Sequence, residues 1–329
     1  MPIVTIQDFT GVYAEQPFMQ KLRESAATDN NLHWLDCTKI EGTDCYCDDE
    51  AQATINKMMD EAVAIATNAS AASAPSIHFF DNGNYHYMSK LWTDRVQEPF
   101  DLVVFDHHPD MQPPRFEGIL SCGGWVLEVL KNNPFVQSVT LIGVADHLVD
   151  EIREWITSLP SDARNDVNGA LLNRVKFIRE SELKCELTDL SSHFTFHIVN
   201  SLCSFTKCWA RSYPCEHGCD TRPTHLSTPV YVSIDKDALS TSEAATNWDQ
   251  GSLTFAQLAE TLTTLAQKHK ILGIDICGER ARDMDFADTA AADALNNALN
   301  EKLYHFLTSL VEKEIPAFAG KTIAENGIQ

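Results

Sequence analysis

The sequence predicts a three-layer α/β/α domain built on a mostly parallel sheet. Three observations carry that expectation: continuous apolar runs of strand length, helical stretches that alternate with them, and acidic and histidine-rich clusters where the runs end. A strand that is apolar on both faces suits a sheet covered by helices on each side, and such sheets bind ligands beyond the carboxyl ends of their strands.

The elements follow in chain order. DDEAQATINKMMDEAVAIAT, residues 48 to 67, places Ile55, Met58, Met59, Ala62 and Ile65 near one helical face, with Asp48 and Asp49 suited to cap its start. The runs SIHFF (76–80), DLVVFD (101–106), SVTLIGVA (138–145), VKFI (175–178), PVYVSID (229–235) and ILGIDIC (271–277) read as strands, with helices over 122–131, 147–157 and 254–268. Near the C-terminus Leu295, Leu299, Leu303, Phe306 and Leu310 recur at the helical period, and the opposite face, with Asn297, Asn300 and Glu301, is expected in water. Residues 181 to 228 break the rhythm and are read as a Cys-rich insertion, Cys185 included, in a single domain spanning 1–329. There Cys203, Cys208, Cys215 and Cys219 with His217 are a candidate structural zinc site. The gaps of four, six and three residues include no CxxC, so buried free thiols are the preferred reading.

Composition narrows the function. At 329 residues and 44% hydrophobic the chain can bury a large core, and 25 basic against 47 acidic residues give a formal charge of −22. That charge repels nucleic acid and anionic membranes and mildly favours cationic ligands. No run of 18 apolar residues occurs and the N-terminus lacks a signal-peptide pattern, so a cytoplasmic protein with its ten cysteines reduced is expected.

The chemistry sits at strand ends. In DHHPD, residues 106–110, an extended backbone would point Asp106, His108 and Asp110 to one side, leaving His107 on the other as a packed or hydrogen-bonded group. VYVSIDKDALS ends with Asp235 and Asp237 on one face, and two like charges a few ångströms apart are costly unless a cation or proton intervenes. In DNGNYHYMS, Gly83 permits a tight turn and His86 follows it. Two imidazoles and four carboxylates are hard or borderline donors that suit Mn²⁺, with Fe or Zn as alternatives, and six ligands fit two metals better than one. His147 follows a strand end as well, and Asp146 beside it is the expected cap of the next helix.

A histidine in a glycine-containing turn, then DxHxD, then SxDxD, at successive strand ends, resembles the arginase/agmatinase (ureohydrolase) family of binuclear manganese hydrolases, over roughly residues 76 to 310. The resemblance implies an arginase-like fold, with one metal held by His86, Asp106, Asp110 and Asp235 and the other by Asp106, His108, Asp235 and Asp237. Asp106 and Asp235 would bridge. WDQGSLTFAQLAE resembles the family's loop leading into a helix, and ILGIDICGE its late strand, ending in a glutamate that binds a guanidinium. Glu279 is the candidate for that role, although it lies one residue late and an ion pair with Arg280 or Arg282 is its rival. Two cations about 3.5 to 4 Å apart lower the pKa of a bridging water and provide hydroxide. The family resemblance also suggests a homo-oligomer.

The departures matter too. Cys122, Gly123 and Gly124 stand where arginases carry a proton-transfer histidine, which leaves Cys122 as the candidate catalytic group at that place. The PPRFEG stretch, with Arg115, lacks the polar residues that hold an amino acid's backbone groups, so arginine itself is not assigned as substrate. The expected activity is hydrolysis of a C–N bond in a small, cationic guanidino or amidino compound. Two alternatives stay open: a single-zinc amide hydrolase resembling the deacetylases, and a non-catalytic member of the fold that binds a metal or metabolite.

Overall fold

The computed structural model describes residues 2–67, 75–113, 116, 118–158, 171–185, 228–282 and 289–325. Cys203, Cys208, Cys215, His217, Cys219 and Arg115 lie outside the described residues.

Ten strands occur among the described residues: β1 (Ile3–Asp8), β2 (Leu32–Asp36), β3 (Tyr46–Cys47), β4 (Ser76–Phe79), β5 (Phe100–Phe105), β6 (Leu120–Ser121), β7 (Val136–Val144), β8 (Val175–Arg179), β9 (Val230–Asp235) and β10 (Ile271–Cys277). Eight form one sheet in the order β2-β1-β4-β10-β9-β5-β7-β8, and every pairing in it is parallel. The remaining pair, β3 and β6, is antiparallel. The helices are α1 (Pro17–Ser25), α2 (Asp49–Thr67), α3 (Met88–Thr93), α4 (Trp125–Asn132), α5 (Asp146–Ser158), α6 (Glu180–Cys185), α7 (Phe255–Lys268) and α8 (Thr289–Glu325). None is long and apolar enough, over the described residues, to cross a membrane.

Two hydrophobic clusters flank the sheet and make the three layers. On one side Ile6, Phe79, Val103, Val232 and Ile274 pack with α1, α7 and α8. On the other, Leu102, Val104, Leu141 and Tyr231 pack with α2 to α5. This is the predicted architecture, and all six predicted strands are present. The central strands β5 and β9 are buried at every residue, as their predominantly apolar character predicts.

Local details differ from expectation in instructive ways. Asp48 does cap α2, accepting from the Ala51 amide at 2.8 Å. Asp146 does not serve its helix in the expected way; its carboxylate instead accepts from the Ser181 amide and hydroxyl. On α8, Leu299, Leu303 and Leu310 are buried as the period predicts, while Leu295 and Phe306 are only partly buried and Asn300, expected in water, is 0% exposed. An asparagine can be buried only where its amide finds partners, and those partners are Gln16, Lys236 and Glu279.

Candidate metal centre

Three strand ends deliver the expected donors to one place. After β4, Asp81 adopts a left-handed φ of 54° and its carboxylate accepts from the amides of Phe9, Thr10 and Asn82, which fixes the loop. A short 3-10 helix, Gly83–Tyr85, capped by Asn82, then presents His86. Gly83 has no left-handed backbone; its small size is what counts, since a Cβ there would sit 2.7 Å from Trp248 and 3.1 Å from Asp235 Oδ2. β9 ends at Asp235, whose side chain caps the short helix Lys236–Ala238 by accepting from the Asp237 amide at 3.0 Å.

The DHHPD segment converges for a different reason from the one the alternation suggests. The backbone bends after Asp106 and turns left-handed at Asp110, with φ 45°. The turn brings Asp106, His108 and Asp110 together, while His107 packs away, its Nδ1 3.3 Å from the Gly143 carbonyl.

His86 Nδ1 lies 2.9 Å from Asp110 Oδ2, 3.2 Å from Asp106 Oδ2 and 3.5 Å from Asp235 Oδ2. His108 Nδ1 lies 2.9 Å from Asp237 Oδ2 and 3.5 Å from Asp106 Oδ1. These approaches make two adjoining donor groups, His86/Asp106/Asp110 and Asp106/His108/Asp237, which share Asp106. Asp235, its Oδ2 3.5 Å from His86 Nδ1, is the sixth predicted donor.

The electrostatics are unbalanced without a cation. Burial, reinforced by neighbouring carboxylates, pushes Asp235 up to about 7 and Asp237 up to about 6. Burial alone would lower His86 and His108, but the carboxylates facing them win and both are raised, His108 to about 12. Among the described residues no Lys or Arg forms an ion pair with these four aspartates. His86 Nδ1 and Asp106 Oδ2 are buried with no hydrogen-bond partner although each is within 3.2 Å of the other. Imidazole and carboxylate donors gathered this closely, two of their atoms buried without a hydrogen-bond partner, fit divalent cations.

Outer contacts fix the donors. His86 Nε2 meets Ser233 Oγ at 2.9 Å, Ser233 meets Ser89 Oγ at 2.8 Å, and Trp125 Nε1 donates to Asp110 Oδ2 at 2.8 Å. Such partners set ring orientation and tautomer. Ser233→Ala is therefore expected to weaken cation binding by on the order of tenfold to a hundredfold without unfolding the protein. Competition against a fluorescent chelator measures it, and unchanged affinity would show that Ser233 does not orient His86.

The centre opens into a cavity of about 740 Å³. Beyond the donors its wall includes the aromatic rings of Tyr46, Trp155 and Trp248, the carboxylate of Glu151, and Cys45 and Cys122. The last two adjoin across β3 and β6: the Cys122 amide donates to the Cys45 carbonyl at 2.9 Å and the thiols share a hydrogen bond. That bond and burial hold the Cys122 thiol well above its ordinary value, so it is a poor proton acceptor in this state.

Glu279 is not in the cavity wall. It is 0% exposed, and its Oε2 accepts from Gln16 Nε2 at 2.8 Å and Asn296 Nδ2 at 2.9 Å. Its Oε1 accepts from Asn300 Nδ2 at 2.6 Å and from the ammonium of Lys236. A carboxylate has about four lone-pair sites, so none is left for a guanidinium. Neither expected rival partner pairs with it: Arg280 pairs with Asp293 and Arg282 with Glu15. Gly278, left-handed at φ 92°, immediately precedes it as the chain leaves β10. Lys236, Gln16 and Asn296 were not singled out in the sequence, and Asn300 was named only as solvent-facing; a lysine wedged between two acidic strand-end residues was the available signal.

No family model matches the chain. An uncharacterized protein of Thermotoga maritima is 24% identical over 278 residues, covering 84% of this chain and 80% of that protein. Among solved structures, proclavaminate amidino hydrolase of Streptomyces clavuligerus aligns with a TM-score of 0.55 at 14% identity, covering 93% of this chain and 91% of its own. The agmatine ureohydrolase of Thermoplasma volcanium gives 0.54 at 13%, with coverages of 96% and 91%. Arginase of Bacillus caldovelox gives 0.52 at 14%, with coverages of 91% and 98%. At these identities the likeness establishes the fold: the chain has the arginase-like three-layer α/β fold that the sequence resemblance implied.

Proposed function

We propose that this protein is a divergent ureohydrolase, a hydrolase that uses two divalent cations to cleave a C–N bond of a small guanidino or amidino compound. The observation that carries the reading is the pair of donor groups sharing Asp106, with His86 Nδ1 and Asp106 Oδ2 buried and unbonded between them. One cation position comprises His86, Asp106, Asp110 and Asp235; the other comprises Asp106, His108, Asp235 and Asp237. Two cations bound there would supply Lewis-acid activation of water at neutral pH, with manganese as the family's usual metal.

The chain's own residues do the rest. Asp106 faces His86 with one oxygen and His108 with the other, and would contribute to holding both cations. Ser233 and Trp125 hold His86 and Asp110 in line through the contacts measured above. Tyr46, Trp155 and Trp248 line the cavity, where an aromatic ring attracts a cation, and Glu151 adds a negative charge on the wall. These features favour a positively charged substrate. Glu279 does not orient it; its acceptors are committed to Lys236, Gln16, Asn296 and Asn300.

A single-zinc deacetylase-like enzyme would leave His86 and Asp110 without a role, yet both are gathered into the centre. The reading also includes a cytoplasmic, homo-oligomeric protein. The deciding experiment is elemental analysis of the purified protein, followed by a manganese-loaded screen of guanidino compounds, amidines and acyl polyamines for urea, ammonia or amine release. Two metals per chain with urea or ammonia release is the expected result. One zinc per chain with amine release would replace it by the deacetylase-like reading, and metal binding without any turnover would leave a sensor.

A further inference from the structure

The donor set read from the sequence contains no sulfur, yet one thiol stands inside the centre. Cys277 is the last residue of β10, and it pairs in parallel register with Asp235, the last residue of β9. Register partners on adjacent strands point to the same face of a sheet. Cys277 is therefore directed to the spot that Asp235 faces, and it is 1% exposed there. Its Sγ donates to Asp235 Oδ2 at 3.2 Å, and that same oxygen is 3.5 Å from His86 Nδ1. The three donor atoms of His86, Asp235 and Cys277 lie within 4.8 Å of one another.

A thiol that hydrogen-bonds a carboxylate is not by itself a ligand. The second observation is His86 Nδ1: it is buried, has no hydrogen-bond partner, and is directed into this group. The backbone also closes in at this point. A Cβ on Gly278 would sit 2.3 Å from Asp235 Oδ1, so only glycine lets the end of β10 come this near the carboxylate.

Resting on the metal-centre reading, we propose that Cys277 is a further ligand at the His86-side cation position, making it a mixed nitrogen, oxygen and sulfur site. On binding, the S–H bond breaks, a metal–sulfur bond forms, and one proton leaves to solvent for each cation bound. A thiolate is a soft donor, so it biases this position toward zinc, cobalt or ferrous iron and away from manganese. The two positions then differ in metal preference, with the His108-side position keeping only imidazole and carboxylate donors.

The test is cobalt substitution of the full-length metal-free protein. The expected result is a near-ultraviolet thiolate-to-cobalt charge-transfer band that saturates at one equivalent and disappears in Cys277→Ser, while the visible cobalt bands remain. Zinc-over-manganese preference, measured by competition, is expected to fall at least tenfold in the same variant. Cobalt binding without a charge-transfer band, or a band that survives in Cys277→Ser, overturns the assignment and leaves the thiol as a hydrogen-bond donor to Asp235. A folded protein that takes up no cobalt overturns the metal-centre reading as well, which separates the two failures. If Cys277→Ser does not fold, X-ray absorption of the zinc-loaded wild type decides: a sulfur shell at about 2.3 Å supports the ligand, and its absence refutes it.

Discussion

Asp106→Ala is expected to empty both cation positions and abolish turnover, by on the order of a thousandfold or more, because cations are worth several kcal/mol to hydrolysis of this kind. One carboxylate oxygen faces His86 at 3.2 Å and the other faces His108 at 3.5 Å, so the substitution removes a donor from both groups at once. His108→Ala is the control. It removes a donor from one group only, so it should lose one equivalent of metal while the His86 position stays loaded. Metal per chain by elemental analysis reads both variants. Retention of two equivalents by Asp106→Ala would falsify the shared-ligand arrangement.

Glu279→Ala is expected to destabilise the fold by about 3–5 kcal/mol, since it leaves the buried Lys236 ammonium without its counter-charge. Lys236 lies between Asp235 and Asp237, so the loss reaches the centre through the backbone that carries them. Replacing both members of the pair, as in Lys236→Met with Glu279→Leu, should recover much of the stability, because an apolar pair of similar volume does not strand a charge. The three amides that also bond Glu279 would keep some of the loss. Denaturant unfolding of the two variants measures both effects. A Glu279→Ala protein as stable as wild type but with a raised KM would instead restore Glu279 as a substrate ligand.

The middle of the sheet was legible because its strands are predominantly apolar, and the site because its donors are chemically conspicuous at the ends of those strands. The first two strands were not legible. β1, IVTIQD, buries Thr5 at 2% and Gln7 at 0% exposure, and the polar side chains disguise a fully packed strand. Gln7 is tolerated there because Trp92 Nε1 donates to it at 2.9 Å, a partner 85 residues away. The same kind of distance hid the role of Asn300, which reaches Gln16 across 284 positions and so faces inward from a side of α8 that reads as solvent-facing. The partners of Glu279 were not legible because Gln16, Lys236, Asn296 and Asn300 come from separate stretches of the chain. Cys277 was overlooked for the opposite reason: in ILGIDIC a thiol reads as one more apolar strand residue. Convergence of the DHHPD side chains was expected correctly but from the wrong cause, because a bend and a left-handed Asp110 do what simple alternation was assigned to do.

The centre draws on β4, β5 and β9, with β10 lying between the first and the last, and His86 meets Ser233 across 147 residues of sequence. No short segment can therefore assemble a high-affinity site before the sheet has formed. Cations should behave as late staples rather than nuclei: a chelator would lower the melting temperature in proportion to the logarithm of free metal removed, while leaving the rate of refolding nearly untouched.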